Sequence, residues 1–158
     1  MTVEAVVDRY DDCQPTAAPR CLADIIDLWT QARLRLPTQS EVADLLCRDM
    51  PVDAVHRALS PWRIVVYEAV RQPVYRPLLV GIDECGSPWV SAQIVAIDAG
   101  RRLALTGSAT TYRLSPVRAA GEPGSRELAA LAQALWAWGV GEALRVWRPE
   151  DDGADDAD

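Results

Sequence analysis

The sequence predicts an α+β fold: an N-terminal three-helix segment, an antiparallel β-meander of four to five strands, and a C-terminal helix packed on the sheet. Three observations predict it. Apolar residues recur at three- and four-residue spacing across residues 20–60, β-branched and aromatic runs separated by short turns fill 62–114, and a capped apolar stripe returns at 125–138. The 158 residues thereby divide into an acidic extension (1–19), a single domain (20–148) that is helical over 20–60, sheet over 62–114 and helical again over 125–138, and a disordered acidic tail (149–158).

The first helix is read from Leu22, Ile25, Ile26, Trp29, Ala32 and Leu36, between Pro19 and Pro37. The second begins at Thr38, where Thr38 and Glu41 have the spacing of a capping box and Val42, Leu45 and Leu46 face its core side. The third runs from Pro51, which suits a first helical turn because it has no N–H to leave unpaired, through Val52, Val55 and Leu59. Four strand-like runs follow, at 62–70, 74–82, 89–97 and 102–114, joined by connectors too short for parallel crossovers. Pro77 inside the second run places that strand at an edge or at a bulge. Ser125 is suited to cap a last helix carrying Leu128, Leu131, Leu135 and Trp138 on one side, ended by Gly139 and Gly141.

Charge excludes some functions. All 16 positive charges are arginine, and the chain has neither asparagine nor phenylalanine; the missing residues use A/T-rich codons, so the skew points to a high-G+C bacterial, plasmid or phage genome. The net charge of −7 sits at the ends: residues 1–19 carry −3 and 149–158 carry −6, whereas 20–76 and 77–148 carry +1 each. A near-neutral body is neither a strongly basic nucleic-acid domain nor an acidic mimic of one. No apolar run is long enough for a membrane span, and the acidic start lacks the pattern of a secretory signal, so a cytoplasmic location is expected.

One stretch carries a more specific signal. PTQSEVADLLCRDMPVDAVHRAL (37–59) resembles the helix-turn-helix of bacterial regulators, with Ala43 as the small residue that lets the second helix approach. Cys47 stands where those regulators commonly have glycine, and the turn is about two residues longer than theirs. The resemblance implies a winged-helix DNA-binding regulator whose third helix would offer Asp53, His56 and Arg57 to a major groove, with Arg48 and Arg63 meeting phosphates. Against this, residues 38–63 hold three arginines and four acids, a poor balance for phosphate contact.

Catalytic chemistry finds no constellation. His56 is the sole histidine, and Cys13, Cys21, Cys47 and Cys85 include no Cys-x-x-Cys pair, which argues against a metal site. Cys85 lies beside Asp83 and Glu84, whose charges oppose thiolate formation. No cofactor and no enzymatic activity are expected. Trp136, Trp138 and Trp147 instead stand out as protein-interface candidates: on a helix Trp136 and Trp138 point about 200° apart, so either the helix is sandwiched or one ring is exposed.

The leading expectation is therefore a non-enzymatic interaction or regulatory protein of a bacterium or its mobile elements, with another protein as its partner. The tail's charge fits a solvating extension that keeps a tryptophan-rich chain soluble, or else an accessory or inhibitory factor of a nucleic-acid-handling complex. The DNA-binding alternative separates from it on surface charge. A regulator should show Arg48, Arg57 and Arg63 as one basic patch, and an interaction protein should bury or neutralise them.

Overall fold

The computed structural model describes residues 18–27, 30, 32–46, 50–51, 54–69 and 74–148. The extension as far as residue 17, the acidic tail, Trp29, Cys47, Arg48 and Asp53 lie outside them. In chain order the elements are β1 (Ala32–Arg35), α1 (Gln39–Leu45), β2 (Val55–Ala69), β3 (Val74–Asp83), β4 (Pro88–Asp98), β5 (Leu103–Thr106), β6 (Thr111–Leu114) and α2 (Ser125–Ala137). The strands pair antiparallel in sequence order, and β6 then returns to pair parallel with the first part of β2, Val55 opposite Thr111 and Leu59 opposite Leu114. Strands β2 to β6 thus close a ring. β1 extends the sheet from the far half of β2, Ala32 opposite Ala69 and Arg35 opposite Val66.

The three-helix segment expected over residues 20–60 is not what folds there. The first helix is replaced by one 3₁₀ turn at Leu22–Asp24 and by β1. The reason lies in Ala32-Arg33-Leu34-Arg35, where buried and solvent-facing residues alternate with the two-residue period of a strand. The third helix is replaced by the start of β2. Val52, Val55 and Leu59 fit a helical spacing, yet Val55, Arg57 and Leu59 fit a strand equally well, and pairing with Tyr112 to Leu114 decides between them. Val55–Ser60, expected helical, is therefore part of the sheet.

Only the second of the three stands as an α-helix, α1, with its capping box intact. Thr38 Oγ1 accepts the Glu41 N–H at 3.1 Å and Glu41 Oε1 accepts the Thr38 N–H at 2.9 Å. Leu45 is buried on its core side, but Leu46, expected beside it, is 52% exposed. Glu41 also anchors β1. Arg35 donates to both of its carboxylate oxygens at 2.7 Å and reaches Glu68 on β2 at 3.2 Å, while Arg33 donates to the same Glu68 at 2.7 Å. The Arg35 guanidinium holds the Glu41 carboxyl down to about 2, and Arg35 followed by Arg33 lowers Glu68.

The runs Ile64-Val65-Val66 and Leu78-Leu79-Val80 are buried at every position because the sheet is covered on both faces there. Leu59, Ile64, Leu79, Ile94, Ile97, Ala104, Tyr112 and Leu114 fill one cluster inside the ring, and α1 adds Leu45. Val65, Leu78 and Val80 point the other way, into a second cluster with Leu22, Ile25, Leu34 and the buried stripe of α2, Leu128, Leu131, Ala132 and Leu135. Gly81 lets β3 approach the bend of β2, since a Cβ there would stand 2.7 Å from the Pro61 carbonyl oxygen. Pro77 lies one residue before the first β3–β4 pair, Leu78 with Gln93, so its missing N–H leaves no gap in that ladder. The run 102–114, expected as one strand, is the β5–β6 hairpin. Its turn is held by Thr106 Oγ1, which accepts the Thr110 N–H at 3.0 Å. α2 is capped one residue earlier than expected, at Gly124, whose N–H donates to Glu127 Oε1 at 3.0 Å.

Candidate functional site

The outer face of the sheet is covered only as far as its covering segments reach. α2 ends at Ala137, and Gly139, in the left-handed region at φ 85°, turns the chain away. Beyond it a cleft of ≈ 440 Å³ opens over the sheet. Its floor is Tyr67 and Ala69 of β2, Arg76 and Leu78 of β3, and Ala92 and Gln93 of β4; Leu135, Trp138 and Val140 form its wall. Tyr67 and Arg76 are cross-strand partners, as are Leu78 and Gln93. The cleft is mostly apolar, and Arg76 is its single charge among the described residues.

The three tryptophans separate cleanly. Trp138 is 46% exposed at the mouth of the cleft. Trp136 is packed away: the Arg148 guanidinium lies 4.5 Å from its ring centroid and the Gly141 backbone lies against the ring, where a Cβ would come within 2.2 Å. Trp147 packs on the outer core, and its backbone N–H donates to the Ile25 carbonyl at 2.9 Å. Of the two arrangements open to Trp136 and Trp138, one ring is exposed, and it is Trp138.

The arginines and the histidine of the expected DNA-reading face sit elsewhere. A register shift between Val55 and Arg57 gathers both His56 and Arg57 around Trp89 at the start of β4. The His56 ring is 5.7 Å from that of Trp89 and 5.9 Å from that of Tyr112, and the Arg57 guanidinium stacks 3.8 Å from the Trp89 centroid. Arg57 also donates to Asp83 Oδ2 at 3.1 Å. Asp83 is held below the usual carboxylate range, first by the Ser87 N–H and then by the Cys85 N–H and Arg57. Arg63 is buried, donating to the Gly121 carbonyl, with Nη2 3.6 Å from Glu127 Oε1. Arg48 lies outside the described residues.

Among the described residues no three His, Cys, Asp or Glu side chains converge as metal ligands, and no helix is long and apolar enough to cross a membrane. Cys85 is an exposed free thiol and Cys21 a half-buried one. Among the described residues the cleft's lining contains no acid, histidine, cysteine or serine. Trp138 was legible in the sequence as an interface candidate. Tyr67, Arg76, Ala92 and Gln93 were not, because only the register of three strands puts them on one face. No known family model, curated protein or solved structure matches this chain.

Proposed function

We propose that this chain is a non-enzymatic interaction protein whose outer-face cleft takes an extended, apolar segment of a partner protein, with a carboxylate of that segment opposite Arg76. The observation that carries the reading is the half-exposed Trp138 standing over an uncovered, mostly apolar stretch of sheet. A large aromatic ring left in water at the rim of an apolar cleft is the usual anchor of a protein interface. Arg76 has no ion-pair partner among the described residues, so an arriving carboxylate meets an uncommitted charge. Among the described residues the lining sets no carboxylate, histidine, cysteine or serine beside Tyr67, and this lack of a paired acid and base or an activated nucleophile favours binding over turnover.

The DNA-reading alternative draws no comparable support. A strand occupies the position of its reading helix, Arg63 is buried, and Arg57 is spent on Asp83 and Trp89. The charge of the acidic tail keeps a component of a nucleic-acid-handling complex as the partner class we favour.

The test is selection of random peptides on the full chain, followed by calorimetric titration of those recovered. The expected peptides are apolar with one Asp or Glu; they lose at least about tenfold in affinity on Trp138→Ala, worth ~1.4 kcal/mol, and keep it on His56→Ala. Recovery of no peptide, or equal binding by Trp138→Ala, would overturn the reading.

A further inference from the structure

A second, smaller cleft of ≈ 310 Å³ lies between the end of β1, the middle of β2 and the loop after β6. Leu36, Pro37, Ile64 and residues 118–121 line it together with Arg63, and among the described residues no carboxylate does. We propose that this cleft binds an oxyanion, and that a phosphate group is the chemistry it fits.

Arg63 provides the first reason. Its side chain is only 9% exposed, yet among the described residues its five N–H donors make a single hydrogen bond, from Nη1 to the Gly121 carbonyl. Nε has no partner, and Nη2 is 3.6 Å from Glu127 Oε1, beyond hydrogen-bonding range. A buried guanidinium whose Nε is unpaired and whose Nη2 is held only by a long ion pair is costly unless another acceptor arrives. Glu127 forms an ion pair with Arg63 and offsets part of its charge, but it does not close the gap: Oε1 accepts the Gly124 N–H that caps α2, and Oε2 is also left without a hydrogen-bond partner.

The second reason is convergence. Arg118 lines the same cleft, makes no ion pair with a described residue, and holds its guanidinium 5.8 Å from the Trp62 ring centroid. The loop that carries it continues as Ala119-Ala120-Gly121, with Gly121 in the left-handed region at φ 79°. The Ala119 N–H is spent on the Trp62 carbonyl at 2.7 Å, whereas those of Ala120 and Gly121 are unspent among the described residues. Two guanidinium groups beside a loop of small residues offer several donors and a surplus of positive charge, and a phosphate presents acceptor oxygens in the geometry that arginine matches best. The apolar side chains of Leu36 and Pro37 leave space for the group that a phosphate ester carries.

This site is independent of the Trp138 cleft, so either proposal survives the failure of the other. The test is calorimetry and thermal-shift titration of the full chain at constant ionic strength, with inorganic phosphate, with phosphoserine, and with chloride as control. Saturable binding of phosphate but not of chloride is expected. Tighter binding of phosphoserine identifies an esterified ligand, and equal binding identifies the free ion; both uphold the site. Arg118→Gln changes an exposed side chain, so it is expected to keep the unliganded melting temperature while losing at least about tenfold in affinity, with partial recovery in Arg118→Lys. No saturable binding, or binding unchanged in Arg118→Gln, would overturn the proposal even if Arg63→Gln fails to fold.

Discussion

The two faces of β2 and β3 are made by neighbouring residues of the same strands, and they are finished in different ways. Ile64 and Leu79 look into a ring that the strands close by their own hydrogen bonds, β6 pairing back onto β2. Val65, Leu78 and Val80 look outward onto segments laid across the sheet: the turn at Leu22–Asp24, α2, and the stretch around Val146. Backbone pairing seals the first face. The second is sealed only where a covering segment happens to lie. α2 has 13 residues, about 20 Å at ~1.5 Å each, whereas β4, the strand it packs on most, has 11, about 36 Å along the chain at ~3.3 Å each. What the helix does not reach is the floor of the Trp138 cleft.

If the inner face is the rigid one, cutting it should cost most. Leu79→Ala removes a fully buried side chain from a ring that cannot collapse around the gap, and an expected loss of about 3–4 kcal/mol in urea unfolding follows. Leu131→Ala removes an equally buried side chain from the outer layer, where α2 borders an open cleft and can settle inward; about 2–3 kcal/mol is expected. Equal losses would erase the distinction between the two faces. Next in size comes Gly81→Ala, because the new methyl group would meet the Pro61 carbonyl oxygen at 2.7 Å, Leu59 Cβ at 3.0 Å and Trp62 Cα at 3.3 Å. Those neighbours are mostly backbone and cannot rotate away, so about 1–3 kcal/mol is expected from the same measurement.

The difference between the faces also explains what was legible. From Trp62 onward, strand runs carry β-branched residues and turn residues at short spacing, and the later part of β2, β3 and β4 stand where those signals place them, whereas the run 102–114 read as one strand folds back on itself as β5 and β6. α2 was legible from the stripe Leu128, Leu131, Leu135 and from its glycine stop. Residues 20–60 misled because short apolar spacings fit two periods: Ala32, Leu34 and Leu36 fit a strand, and Val55 and Leu59 are four apart in either structure. The partners that decide the matter, Glu68 for Arg33 and Arg35, and β6 for Val55–Leu59, lie 33 or more residues away. Similarly, Trp138 could be singled out, but the floor it stands over is assembled by register and has no local signature.

The β1 edge offers a smaller effect that depends on pH. Glu41 titrates near 2 in the folded chain and near 4.5 when free, so its contribution is fully present above about pH 4.5 and fades as pH falls towards 2. Glu41→Gln is expected to cost about 1–2 kcal/mol at pH 7, through the lost pairing with Arg35 and a weakened cap. That deficit should shrink steadily in urea unfolding below pH 4.5. A deficit constant down to pH 2.5 would mean that the cap, not the charge, holds β1 to α1.

The smallest effect on stability separates the two faces most directly. Trp138 is half exposed and contributes little to the closed part of the outer core, so Trp138→Ala is expected to change unfolding free energy by about 0.5 kcal/mol or less. Ala92, exposed on the floor of the same cleft, tests the opposite direction. Ala92→Leu adds apolar surface where the helix leaves the sheet bare, and it should leave stability unchanged or raise it by up to about 0.5 kcal/mol. Both variants should lose the peptides selected on the unmodified chain, one by removing the anchor and the other by filling its seat. Opposite or null effects on stability, joined to the same loss of binding, are what an unfilled recognition surface requires. If Ala92→Leu instead destabilises by 1 kcal/mol or more, that floor is already covered, and the outer face is as closed as the inner one.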